Sequence, residues 1–167
     1  YQLGKAPVVL IHGLFSDPLS WADLVNDLRA TPGFAEQYQI WYFRYPTGQG
    51  FLQSAAVLRR ELRAAVDQLD PSRGDAALRQ IVLVGHSYGG MVVTAAADRC
   101  AERIGRLVYL DAFVPEDGKC ALDYVVPERA AAFRKEGEQL GSIAPPPLSL
   151  WGLVKPEHIA FARPRET

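Results

Sequence analysis

Cysteine is scarce: Cys100 and Cys120 are the only two in 167 residues, too few for a disulfide framework and without metal-ligand spacing. They read as free thiols, or as a single bridge if the protein is exported. Long hydrophobic runs are also missing, since no apolar stretch approaches the roughly 18 residues that span a bilayer. The chain opens on Tyr1-Gln2-Leu3-Gly4-Lys5, with neither an initiator Met nor a signal-type apolar segment. The expected compartment is therefore the cytoplasm, or the exterior if the start is trimmed. Charge of one sign is lacking as well. A net charge of -1 offers no electrostatic case for nucleic acid or an anionic membrane surface. What remains is an ordinary globular composition, 49% hydrophobic and 22% charged, which excludes a disordered or fibrous chain. A chain of this length can bury roughly 70% of its unfolded surface, so one domain with a real core is expected.

Pro7-Val8-Val9-Leu10-Ile11 is a short, continuous, β-branched run of the kind buried on both faces of a parallel sheet. It ends in His12-Gly13. Trp21, Leu24, Val25 and Leu28 then follow helical spacing, with Ser20 placed as the N-cap and Pro32-Gly33 as the stop. Tyr38 to Phe43 reads as a second strand, broken by Tyr45-Pro46-Thr47-Gly48-Gln49-Gly50. The stripe Leu58, Leu62, Ala65, Val66 and Leu69 predicts a second helix, which Pro71 to Asp75 ends. Ile81 to Val84 forms a third strand and about Met91 to Cys100 a helix, followed by a fourth strand, Leu107 to Leu110, ending in Asp111-Ala112. This β-α-β-α-β-α-β order calls for a parallel sheet with helical crossovers and a ligand site at the carboxyl ends of the strands. Beyond Pro115 the character changes: residues 127 to 136 can form a helix, Ala144 to Pro147 is extended, and Leu148 to Val154 is a short candidate strand. There are no repeats.

Gly85-His86-Ser87-Tyr88-Gly89 matches G-x-S-x-G between a buried strand and a helix, the context this motif requires. The tight turn forces Ser87 into an unusual backbone conformation costing on the order of 1 to 3 kcal/mol, and Gly85 and Gly89 remove side chains that would collide across it. Ser87 is thereby the candidate nucleophile. The helix behind it offers free amides, so the Tyr88 N–H can donate to an oxyanion. The second donor is expected from the loop after the first strand, at Leu14, with Phe15 next in line. His12 and His86 shape turns in their motifs and read as structural.

Residues 7 to about 115 resemble an α/β-hydrolase of the esterase and lipase type. Val8 to Leu14, with Trp21 and Trp41 to Gly48, is similar to bacterial lipase-like hydrolases related to inositol deacylases. Gly85 to Val92 and Leu107 to Pro115 instead resemble the branch of plant methylesterases, hydroxynitrile lyases and their bacterial esterase relatives. The resemblance implies a shortened α/β-hydrolase fold, a mainly parallel sheet with helices on both faces, with residues 1–115 as the core and 116–167 as a cap-like or C-terminal segment. Family members usually begin with two antiparallel strands and continue for two strands more, the acid following the first of these and the catalytic His the second. Here the former are absent or vestigial, and the chain stops in what resembles the start of the cap.

A serine nucleophile needs a base, and the base an orienting acid. With His12 and His86 in turns, His158 is the remaining base. Asp111, at the carboxyl end of the fourth strand, is the candidate acid, and the order Ser87, Asp111, His158 agrees with the family's. The alternatives are a solvated His158 on a cap helix and an Asp111 that caps a loop or pairs with arginine. Phe15 and Phe113 are expected to contact the acyl chain, Trp21 and Trp41 to be core. Asp17 and Tyr45 either line the pocket or serve as loop residues.

The implied activity is hydrolysis of small-molecule carboxylic esters, of short to medium acyl chains and possible extension to lipids, by chemistry that needs no metal or organic cofactor. Cyanohydrin cleavage is a second enzyme reading, but the lyases carry Thr where this chain has Gly13. A third reading is a catalytically incomplete module, in which the apolar edge Leu107 to Leu110 pairs with another chain as a homodimer or domain-swapped assembly.

Overall fold

The computed structural model describes residues 1–141 and Pro156. The candidate base His158, the extended Ala144 to Pro147 and the candidate strand Leu148 to Val154 lie outside the described residues. The chain divides into two compact units, Tyr1–Gly118 and Lys119–Thr167.

The first unit is built on four parallel strands, β1 (Ala6–Ile11), β2 (Tyr38–Phe43), β3 (Ile81–Ser87) and β4 (Ile104–Ala112), in the order β2-β1-β3-β4. Five consecutive residues of β1 are buried, as the unbroken apolar run predicts for a central strand covered on both faces. Val8 and Leu10 pair in register with Val82 and Val84 and pack with Trp21, Val25, Leu24 and Phe34. That side belongs to α1 (Ala22–Ala30) and α2 (Phe34–Gln37). The alternate residues Val9, Ile11 and Leu83 point the other way, toward α3 (Phe51–Leu69) and α4 (Gly89–Ala97). Residues such as Ile11, Leu83 and Ile81 are fully buried, each contributing about 1.5 to 3 kcal/mol of hydrophobic stabilisation.

Local chemistry accounts for most boundaries, with some corrections. Ser20 is not the N-cap of the first helix. The chain turns one residue pair earlier into a 3-10 turn, Pro18–Trp21, capped by Asp17, whose carboxylate accepts from the Leu19 amide at 2.7 Å; Ser20 Oγ instead donates to the Asp17 carbonyl. Asp17 is thus a cap, which accounts for it without a pocket role. The buried stripe of α3 runs Ser54, Ala55, Leu58, Leu62 and Val66, and Leu69 falls outside it because the helix ends there. Arg59 on α3 donates to the Ala95 carbonyl of α4 at 3.0 Å, tying the two helices together. Cys100 is buried, its thiol donating to the Ala96 carbonyl, while Cys120 is exposed; both are free. Burial pushes the Cys100 thiol pKa up, which suits packing rather than nucleophilic chemistry.

At the amino-terminal end of the sheet, Asp70 accepts from the Gly74 and Asp75 amides, and Asp75 in turn accepts from the Gly4 and Ala77 amides and the Tyr1 phenol. These donors hold both carboxyls below the usual range. They anchor the face opposite the functional edge.

In the second unit, a 3-10 turn at Ala121–Tyr124 precedes α5 (Pro127–Leu140), which starts on proline and ends at Gly141 in the left-handed conformation. No helix among the described residues is long and apolar enough to cross a membrane.

Candidate active site

The strand order reverses direction at β1: the chain steps from β1 outward to β2, then returns to place β3 on the other side. The helix after β1 covers one face and the helix after β3 the other, so the loops leaving these neighbouring strands diverge. Their carboxyl ends are the usual ligand position in open α/β sheets.

Ser87 stands at this point. It is the last residue of β3, with φ +52°, a left-handed conformation that a non-glycine residue adopts only under constraint. The constraint is visible in its neighbours. A Cβ on Gly85 would lie 2.7 Å from the Gly89 carbonyl oxygen, and one on Gly89 would lie 2.5 Å from the Ile11 oxygen. Only glycine at both positions lets strand, turn and helix close so tightly. Tyr88 follows as the N-cap residue of α4, and no side chain caps that helix. The Met91 amide donates to the Tyr88 carbonyl at 3.1 Å, so the amides before it are the ones a ligand would meet. The Tyr88 ring is buried edge-on against Phe51, and burial raises its phenol pKa, so the side chain packs while its backbone faces the turn.

The loop after β1 reaches the same spot. A Cβ on Gly13 would fall 2.9 Å from Ser87 Cβ and 3.3 Å from Ser87 Oγ. Leu14 comes next and is half-buried. Phe15 has φ +53°, an exposed ring, and an amide that donates to Thr47 Oγ1 at 3.4 Å. That bond occupies the Phe15 N–H, leaving Leu14 as the loop's better donor.

On the other flank, Phe113 N–H donates to the Ser87 carbonyl at 3.1 Å, holding this half-buried residue beside the turn. Asp111 is exposed with φ +44°. The pairing of β3 with β4 passes from His86↔Leu110 to Ser87↔Ala112, so Asp111 is the extra residue of a bulge opposite Ser87.

His12 is buried, as a loop support should be: its Nδ1 lies 3.0 Å from the Gly13 carbonyl oxygen, and burial lowers its pKa. His86 meets Trp21 edge-on at 6.0 Å. Trp21 is core, and Trp41 is half-buried with its indole N–H donating to Gln39. Tyr45 differs from the pocket-lining alternative. It is only 5% exposed, stacks between Phe43 and His12, and donates to the His12 carbonyl at 2.7 Å. Thr47, which receives the Phe15 amide, carried no signal in the sequence beyond its place in a turn-rich loop.

Ser87, Tyr88, Leu14, Phe15, Phe113 and Asp111 thus all lie at or just past the carboxyl ends of β1, β3 and β4. A strained serine between a buried strand and an uncapped helix, approached by a glycine loop, is the arrangement of a hydrolase built on an open α/β sheet. The chain belongs to the alpha/beta hydrolase family, which it matches over residues 8–166. A 41-residue stretch is 68% identical to a carbendazim hydrolyzing esterase from Nocardioides sp. (strain SG-4G), covering 25% of this chain and 17% of that protein. In structure the chain is similar to an extracellular alpha/beta-hydrolase from a Paenibacillus species described as sharing structural and functional homology with tobacco salicylic acid binding protein 2. The TM-score is 0.67 at 22% identity, covering 95% of this chain and 65% of that one. A marine microorganism esterase aligns with a TM-score of 0.52 at 17% identity, covering 98% of this chain and 55% of that chain. The lipase BlEst2 of Bacillus licheniformis aligns with a TM-score of 0.50 at 22% identity, covering 65% and 41%. The chain spans less than two thirds of each of these relatives, and at such identities the structural likeness carries the fold alone.

Proposed function

We propose that the chain carries the nucleophile of a serine hydrolase that cleaves carboxylic esters, and that the nucleophile is Ser87. The observation that carries this reading is the backbone of Ser87, held at φ +52° between β3 and α4 with the Gly13 loop pressed against its side chain. Strain at a half-buried serine just before an uncapped helix suits a group that must meet a carbonyl carbon. In the reaction, Ser87 Oγ attacks the ester carbonyl as His158 takes its proton. The tetrahedral oxyanion receives the N–H groups of Tyr88 and Leu14. His158 returns the proton to the departing alcohol, leaving an acyl-Ser87, and water repeats the sequence to release the acid. Asp111, in the bulge opposite Ser87, orients the base. Phe15 and Phe113 flank the acyl chain, which we place in the short to medium range. The stretch shared with the carbendazim hydrolyzing esterase supports the same class of chemistry.

The Gly13 loop argues against cyanohydrin cleavage, because a Thr Cβ at this position would overlap Ser87 Cβ unless the loop moved. An activated fluorophosphonate tests the main reading directly. Rapid labelling, mapped by mass spectrometry to Ser87, is expected; labelling as slow as that of an ordinary surface serine would leave the chain a binding module.

The same reading includes association through β4. This strand lies at an edge of the sheet among the described residues, and Val108 and Leu110 are 39% and 42% exposed on one of its faces. A second copy pairing along this edge would satisfy its open backbone groups and set its own face residues beside them. Sedimentation velocity at micromolar concentration should show a dimer, and a well-behaved monomer removes this part.

A further inference from the structure

We infer that His12 and Tyr45 are positioning residues that aim the Leu14 amide at the oxyanion, through a hydrogen-bonded and stacked pair joining the loops after β1 and β2. This inference rests on the Ser87 hydrolase reading and adds what holds one half of its oxyanion site in place.

The starting point is the geometry of a peptide unit. The carbonyl of Gly13 and the N–H of Leu14 belong to one rigid plane and point in opposite directions. Whatever fixes the Gly13 oxygen therefore fixes the direction of the Leu14 hydrogen. His12 Nδ1 lies 3.0 Å from that oxygen, and since a carbonyl only accepts, Nδ1 must carry the proton. The other ring nitrogen, Nε2, is buried and has no hydrogen-bond partner among the described residues. A neutral ring protonated on Nδ1 leaves only an acceptor there, whereas a proton on Nε2 would bury a donor with nothing to receive it. Burial, which lowers the His12 pKa, favours the same neutral form.

Tyr45 holds the ring and its backbone together. Its hydroxyl donates to the His12 carbonyl at 2.7 Å, and its ring stacks on the imidazole with centroids 4.6 Å apart and planes 22° from parallel. Phe43 stacks behind Tyr45 at 5.2 Å and 13°. Phe43, Tyr45 and His12 are all buried, so water cannot replace the Tyr45 hydroxyl at the carbonyl. On the other side Gly89 presses on the same carbonyl, where a Cβ would come within 2.9 Å. The His12 peptide is thus held by the start of α4 and by Tyr45. Because Gly13 lies against Ser87, a small tilt in this loop moves the donor at the reacting centre itself.

Tyr45→Phe keeps the ring stack and removes one hydrogen bond. With an activated ester it should lower kcat by about 10-fold, below the roughly 10²- to 10³-fold loss that follows complete removal of an oxyanion donor. KM should stay within about twofold, and a boronic acid, which forms a tetrahedral adduct on the serine, should bind more weakly by the same factor as kcat. A merely structural role would not produce that parallel. The unaltered chain provides a second measurement: with its three histidines labelled with nitrogen-15, the His12 ring at neutral pH should show the Nδ1–H tautomer. An unchanged kcat, a fall in kcat that the boronic acid does not follow, or the Nε2–H tautomer overturns the inference. If Tyr45→Phe does not fold, the tautomer decides. Failure here is distinct from failure of the hydrolase reading, which falls if Ser87→Ala retains hydrolysis or if a fluorophosphonate labels Ser87 no faster than an ordinary surface serine; a dead Ser87→Ala beside a fully active Tyr45→Phe removes the positioning pair alone.

Discussion

Ser87→Ala should lower kcat for an activated ester by at least about 10⁴-fold while leaving the fold intact. The size follows from what the hydroxyl does. Without it no acyl-enzyme forms, and only binding and oxyanion stabilisation remain to accelerate direct attack by water. The fold should tolerate the change, because Ala shares the Cβ of Ser and the turn is enforced by Gly85 and Gly89 rather than by the hydroxyl. His158→Ala should cost a comparable factor, since nucleophile and base act as one unit and their losses do not add. Full activity in Ser87→Ala would end the acyl-enzyme mechanism, whereas full activity in His158→Ala alone would assign the base elsewhere. Initial rates with a chromogenic ester, alongside circular dichroism of each variant, supply both comparisons.

Gly89→Ala should add a strongly damaging methyl group at the site. Its Cβ would stand 2.5 Å from the Ile11 carbonyl and 2.9 Å from the His12 carbonyl. Both belong to backbone at the end of the central strand, so no side chain can rotate away, and α4 would have to lift off β1. Overpacking of this kind costs about 3 kcal/mol. Urea titration should show a lower midpoint with an unchanged slope. Gly137→Ala in α5 is the control: nothing among the described residues lies within 4 Å of its Cβ, and a helix-interior alanine should stabilise by up to about 1 kcal/mol. Equal stability of the two variants would show that the strand and helix do not meet as closely as described.

Much of this was legible in the sequence because it is local. Buried parallel strands announce themselves as β-branched runs, and β1, β2, β3 and β4 all lie where such runs were read, with β3 and β4 extending beyond them. Helical spacing located α1 and α3, and G-x-S-x-G located the turn, where the strained φ at Ser87 agrees with the expectation; the helix placed after it at about Met91 to Cys100 in fact starts at Gly89 and ends at Ala97. The misses are instructive. Ser20 looked like a cap because it precedes the apolar period, yet Pro18 starts a 3-10 turn before it and Asp17 takes that role. The short helix α2 has too few residues for periodicity to show. Tyr45 could have lined a pocket or filled a loop, and its burial depends on His12, a residue 33 positions earlier.

The sequence by itself determined the alternation of strand and helix, the family resemblance and the strained serine at the end of β3, because each is written within a few consecutive residues. Tertiary structure decided the strand order and its reversal at β1, the approach of Gly13 to Ser87, the bulge that sets Asp111 opposite Ser87, and the Tyr45 clamp on His12. These are contacts between segments far apart in the chain. No local period encodes them, because they arise only when the helices on the two faces of the sheet pack and force the loops at its carboxyl edge together.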